Sequence, residues 1–184
     1  HMHTNRYSAC SVTDPFELVR RAAAAGLDGV VITEHHHQWA DGELEALRAQ
    51  APGLIVLAGV EVTCVGGDVL VYGLTDPAAA RRGMEWGDLC RAVRRQGGAC
   101  VIAHPYRWDQ PVDQLLEEKR PEFDGLELMS TNMDPDVAGV ANSDSHHPHT
   151  VGACYTEFPE GTRTMADIVA AIRERKTRAV ERAG

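Results

Sequence analysis

Nine histidines occur in 184 residues, and all but His104 gather in three tight groups: His1 with His3, His35 to His37, and His146 and His147 with His149. Imidazole ligates divalent metals readily near neutral pH, and carboxylates beside it supply oxygen donors. Alternate residues of an extended segment share a face, so His1 and His3 can chelate one ion from a single edge. A His-Met pair is also what a cloning vector leaves ahead of a start methionine, so this spacing by itself gives His1 two readings. His35 in TEHHHQW follows the apolar run DGVVIT and would leave a strand end, although alone the three histidines suit a solvated loop equally well. Glu61 in GVEVT differs in kind, because a carboxylate inside an apolar run must be paired or must bind a cation. His104 in VIAHP is held at a strand end by the proline after it, which forbids a continuing helix. Taken singly, such a histidine is more often a satisfied core residue. Asp144 and His146 in NSDSH again set a carboxylate and an imidazole two residues apart.

This set of imidazoles and carboxylates is larger than one tetrahedral ion can use, which implies two or three divalent ions. Glu61 is the candidate bridge, since a carboxylate can span two ions about 3.5 to 4 Å apart, the usual spacing for two-metal hydrolysis. Mixed nitrogen and oxygen ligation with no thiolate fits Zn, Mn or Fe. The five cysteines are scattered, with no C-x-x-C pair, and read as reduced thiols.

Such a cluster needs a scaffold that brings distant segments to one mouth. A capped helix is expected over residues 14–25, ending at Gly26, and a buried strand over 28–33. A helix over 41–50 leads to a strand at 54–58, and strands at 61–64 and 68–72 flank the Gly66-Gly67 turn. A helix over 86–96 stops at Gly97-Gly98 and precedes a strand at 99–103. A helix at 112–118, strands at 125–129 and 137–141 and a last helix at 165–175 complete the pattern. Strands alternating with helices point to parallel βαβ units, in a barrel or an open doubly wound sheet. His35, Glu61, His104 and Asp144 each fall at or just beyond a strand end, as a barrel mouth requires, whereas an open sheet would gather ligands at one switch point.

With 43% hydrophobic and 24% charged residues, residues 1–184 are expected to form one domain around one core. No run approaches a membrane span and the start lacks the order of a secretory signal, so a cytoplasmic protein is expected. The net charge of −9 opposes a phosphate backbone, making long nucleic acid a disfavoured substrate. Nothing in the sequence speaks to oligomeric state.

The motifs H-x-H-T at the start, T-E-H at Thr33 to His35, G-x-E at Gly59 to Glu61, A-H-P at Ala103 to Pro105 and S-D-x-H at Ser143 to His146 resemble, in order and over nearly the whole chain, those of the PHP (polymerase and histidinol phosphatase) phosphoesterases. The resemblance implies an α/β fold, a distorted seven-stranded (βα)7 barrel, with a first strand truncated here because the sequence opens at the motif. It further implies a di- or trinuclear site hydrolysing phosphomonoesters or, less often, phosphodiesters. His1, His3, Glu61 and Asp144 resemble the ligands of one ion, Glu61 and His104 those of a second, and His35 and His146 those of a third.

There are departures. Asp68 stands where the family often has a histidine, and is either an oxygen ligand or a missing one. Ser8 and Ala9 occupy places where a further His or Asp is often found. Glu34 replaces the Asp of T-D-H and is a candidate partner for a ligand imidazole. The expected reaction is attack on phosphorus by a metal-activated hydroxide, with Glu61 and Arg107 as catalytic residues and a small phosphorylated substrate gripped by Arg6 and Arg107. His36, His37 and His147 are alternatives for the general acid. The competing readings are a 3′-5′ exonuclease or phosphodiesterase, a metal-dependent amidohydrolase, and a metal-binding domain without catalysis.

Overall fold

The computed structural model describes residues 1–105, 122–127 and 138–182. Helix α1 (Pro15–Ala24) starts where Asp14 accepts hydrogen bonds from the Phe16 and Glu17 amides and where proline takes the first position. Strand β1 (Gly29–Ile32) follows, then α2 (Asp41–Gln50) and β2 (Ile55–Ala58), which pairs with β1 in parallel. Next come β3 (Val60–Cys64), β4 (Gly67–Tyr72), α3 (Trp86–Arg95), β5 (Ala99–Ile102), β6 (Gly125–Glu127) and β7 (Ala138–Val140). The chain ends on β8 (Cys154–Glu157), α4 (Met165–Arg173) and β9 (Arg178–Glu181).

The fold is mixed α/β, but among the described residues strand pairing does not close into the expected (βα)7 barrel. Among the described residues the strands form three sheets: β1-β2, the five-stranded β3-β4-β5-β6-β7, and β8-β9. The departure begins at β3 and β4, which are antiparallel because Val65 and Gly66 leave room for a hairpin turn and none for a crossover helix. The β4-β5 step is antiparallel too, and only β5-β6-β7 resumes parallel pairing. The pair β8-β9 carries no clear signal in the sequence, because CYTE and RAVE are short and only half-buried or exposed. The helix expected at 112–118 lies outside the described residues.

Helices cover the sheets on three sides. Leu18 and Val19 of α1 and Leu44 and Leu47 of α2 pack with Val30, Ile32 and Val56. Leu89, Cys90 and Val93 of α3 pack on the β3 to β6 strands, and Ile168, Val169 and Ile172 of α4 on Leu70, Val101 and Val140. Residues 1–3 run between these layers. The Met2 carbonyl accepts from the Thr33 amide at 2.9 Å, and the His3 amide donates to the Ser145 carbonyl at 3.0 Å. An expected first strand is thus represented by one isolated bridge, Met2 to Ser145.

Candidate metal centre

Four ligand candidates sit just beyond strand ends, while Glu61 and Asp68 lie within β3 and β4. His35 lies beyond β1 and His104 two residues beyond β5; Asp144 and His146 follow β7. Glu61 follows β2 across the Gly59 break, and Gly59 explains the G-x-E spacing: a Cβ there would lie 2.8 Å from the Val71 carbonyl oxygen. Antiparallel register puts Glu61 opposite Leu70 and Thr63 opposite Asp68, so Glu61 and Asp68 share one face of the hairpin. His104 and Asp144 hold left-handed backbone, with φ of 25° and 43°, a strain that recurs where side chains are turned into sites.

The result is a buried knot of nitrogens and oxygens. Around Glu61 Oε2 stand His35 Nδ1 at 3.0 Å, His3 Nε2 at 3.1 Å and His1 Nε2 at 3.3 Å. The other oxygen, Oε1, faces His104 Nε2 at 3.1 Å. Asp144 Oδ1 lies 3.2 Å from His1 Nε2 and 3.5 Å from both His3 Nε2 and His146 Nδ1. Asp68 Oδ2 approaches His104 Nε2 at 3.9 Å. Donor atoms are mutually close enough for one ion in His1, His3 and Glu61, in His1, His104 and Asp144, and in Glu61, Asp68 and His104.

Tautomers follow from the outer partners. His1 Nδ1 faces the Glu127 carboxylate at 2.9 and 3.2 Å, so that nitrogen carries a proton and Nε2 is the nitrogen left to ligate in the neutral ring. The Ser8 hydroxyl donates to Glu34 Oε2, so it can only accept from His3 Nδ1 at 3.3 Å, which leaves Nε2 as the ligating nitrogen of neutral His3 as well. Those two nitrogens lie 3.1 Å apart, and both face Glu61 Oε2. Glu61 Oε2 accepts no hydrogen bond although fully buried. Protonated imidazoles or a divalent cation would satisfy that arrangement, and a mixed imidazole and carboxylate set suits Zn, Mn or Fe. Without an ion the cluster holds protons: burial pulls His1 down, but Glu127 and Glu61 outweigh it and hold its pKa well above the usual range. His3 is raised against burial by Asp144 and Glu61. Burial also opposes ionisation of Glu61, but His1, His104 and His3 hold its carboxyl far below the usual range. His35 is lowered, chiefly by burial.

Glu127 adjoins the cluster and was passed over by the sequence reading. It accepts hydrogen bonds from His1 Nδ1 at 2.9 Å, the His104 amide at 2.6 Å and the Asn142 side-chain amide at 3.0 Å, and is fully buried. Its signal was available, since GLELM places a carboxylate in an apolar strand just as GVEVT does. Glu34 does not touch an imidazole. Its buried carboxylate accepts the Thr4 amide and hydroxyl, Ser8 and Trp39 Nε1, and reaches His3 only through Ser8. Arg6 is exposed, paired with Glu43 at 3.5 Å and lying over the rings of Tyr7 and Trp39. Arg107 lies outside the described residues.

Residues 135–177 match the family model described as PHP-associated. The PHP resemblance holds. The solved structures agree with it at the level of the fold. One, from Bifidobacterium adolescentis and assigned as a metal-dependent phosphoesterase, superposes with a TM-score of 0.66 at 18% identity, over 95% of this chain and 94% of that one. The lesion-specific endonuclease PfuEndoQ from Pyrococcus furiosus gives 0.65 at 17% identity; the match covers 95% of this chain but only 55% of PfuEndoQ. An amidohydrolase from Chromobacterium violaceum, solved with bound sulfate and no metal, gives 0.63 at 16% identity over 98% and 96% of the two chains. No curated protein sequence matches the chain. Among the described residues of this PHP-like chain, no helix is long and apolar enough to cross a membrane.

Proposed function

We propose that the chain is a PHP-type metal-dependent phosphoesterase acting on small phosphomonoesters. The observation that carries this reading is the convergence of His1 Nε2 and His3 Nε2 on Glu61 Oε2, donor atoms close enough together for one ion. His1, His3, Glu61 and Asp144 would hold one ion, and Glu61, His104 and Asp68 a second, with Glu61 offering one oxygen to each cluster. His35 and His146 belong to a third. Divalent ions there would supply an acidified water and neutralise charge on phosphoryl oxygens. The chain's own part is orientation. Glu127 and Ser8 fix the His1 and His3 tautomers, and the amide of His104 is pinned to Glu127. Asp68, an oxygen donor on the Glu61 face of the hairpin, takes the place of the imidazole that many relatives have.

Fold likeness to PfuEndoQ supports one second reading, cleavage of phosphodiesters. The net charge of −9 weighs against long nucleic acid, so the monoester reading is preferred. The deciding experiment is metal analysis of the purified protein with a screen of phosphomonoesters and diesters. Two or three ions per chain and metal-dependent phosphate release, lost in His104→Ala and Asp144→Ala, support the proposal. Turnover of diesters alone shifts the reading to a phosphodiesterase, and bound ions without any turnover leave a metal-binding domain.

A further inference from the structure

A fourth cluster includes a residue that neither motif nor metal assignment used: the donor atoms of His3, Cys10, His35 and His146 lie within 4.8 Å of one another. We propose that Cys10 Sγ is a metal ligand, forming with His35 and His146 a thiolate-containing site for a zinc-like divalent ion at the mouth. This rests on the phosphoesterase reading only in needing that mouth to bind metal.

Three observations support it. Cys10 is held in place by its neighbours. The Ser11 hydroxyl donates to the carbonyls of His3 and His146 at 2.9 and 3.1 Å, and the Val12 amide donates to the His146 carbonyl at 3.0 Å. The turn before it is closed by the Ser8 amide on the Thr4 carbonyl and the Ser11 amide on the Ser8 carbonyl. The imidazoles are also prepared. His146 Nδ1 donates to the Asp144 carbonyl at 2.9 Å, which leaves Nε2 as its ligating nitrogen. The rings of His35 and His146 each lie 4.5 Å from that of His3. Finally, the fully buried carboxylate oxygen Glu61 Oε2 is 3.0 Å from His35 Nδ1, so buried negative charge adjoins the cluster.

Two imidazoles and one thiolate leave the fourth tetrahedral position open, as in sites where an ion meets substrate. Cys10 is exposed, whereas Cys64, Cys90 and Cys100 are buried. A thiolate biases the position toward zinc over manganese and makes its occupancy sensitive to thiol modification.

The test uses the whole chain loaded with zinc or cobalt(II), beside Cys10→Ser. Cobalt-loaded wild type should show a thiolate-to-cobalt charge-transfer band that Cys10→Ser lacks, and Cys10→Ser should hold one ion fewer. Zinc should slow alkylation of Cys10, located by peptide mass spectrometry, by about tenfold or more, because a coordinated thiolate is no longer a free nucleophile. A band that persists in Cys10→Ser, a metal-loaded wild type without one, or alkylation indifferent to zinc overturns the proposal. Should the wild type take up no ion at all, the phosphoesterase reading falls with it. Two bound ions, phosphate-ester turnover and no thiolate band overturn the Cys10 assignment alone.

Discussion

Changing Glu127 to Gln tests whether this carboxylate sets the metal affinity of the site. In the native chain both oxygens only accept: from His1 Nδ1 at 2.9 Å, the His104 amide at 2.6 Å and Asn142 Nδ2 at 3.0 Å. A glutamine must turn an NH2 group toward some of these donors. If it faces His1, the imidazole relieves the clash by moving its proton to Nε2, the nitrogen aimed at Glu61 and Asp144. Ligation then requires removing that proton. Loss of such a supporting carboxylate typically weakens metal binding about 10 to 100-fold, or about 1.4 to 2.7 kcal/mol. If the amide instead faces the His104 N–H, a buried donor is left unmet at a cost of about 1 to 3 kcal/mol to the fold. Zinc affinity measured by competition with a chelating dye, beside urea denaturation of the metal-free protein, separates the two. Affinity within about twofold of wild type, in a variant that is only less stable, would refute the tautomer argument and make Glu127 purely structural.

Metal-free protein should be most stable between about pH 4.5 and 6.5, the unfolded values of Glu and His. The raised His1 and His3 contribute stability fully present below 6.5 and lost as pH rises through their folded values. The depressed Glu61 contributes above 4.5 and loses it on acidification. Melting temperatures across pH with chelator present check this, and the gain on adding zinc should grow with pH because the ion displaces those protons. Gly59→Ala forces a Cβ to within 2.8 Å of the Val71 carbonyl and should cost about 1 to 3 kcal/mol by urea denaturation, with weaker metal binding as Glu61 shifts. Asp14→Ala removes the acceptor for two α1 amides and should cost about 0.5 to 2 kcal/mol while leaving metal affinity unchanged.

What the sequence made legible was local. The α2 span was read without error, and α1, β1, β2 and α3 within two residues at each end, because apolar periodicity, Asp14 and the Gly97-Gly98 stop act over a few positions. His1, His3, His35, Glu61, His104, Asp144 and His146 were found because each breaks a local pattern, and the structure brings them together. Sheet closure was not legible, since the direction of β4 is set by a turn too short for a crossover. Glu127 was missed although its context matches that of Glu61. Cys10 was missed because an exposed thiol in a turn carries no periodic signal, and its proximity to His35 and His146 exists only in three dimensions.

The bond between His1 and Glu127 spans 126 positions, and that between Ser11 and His146 spans 135. Contacts so distant along the chain are slow to form, because a large loop must close before they repay its lost entropy. During synthesis the first histidines emerge long before the carboxylates that orient them. The complete pocket therefore cannot form before residue 146 has been made, and an ion captured early by His1 and His3 alone would be held by two nitrogens and exchange freely. Metal choice is thus deferred until segments far apart in the chain meet.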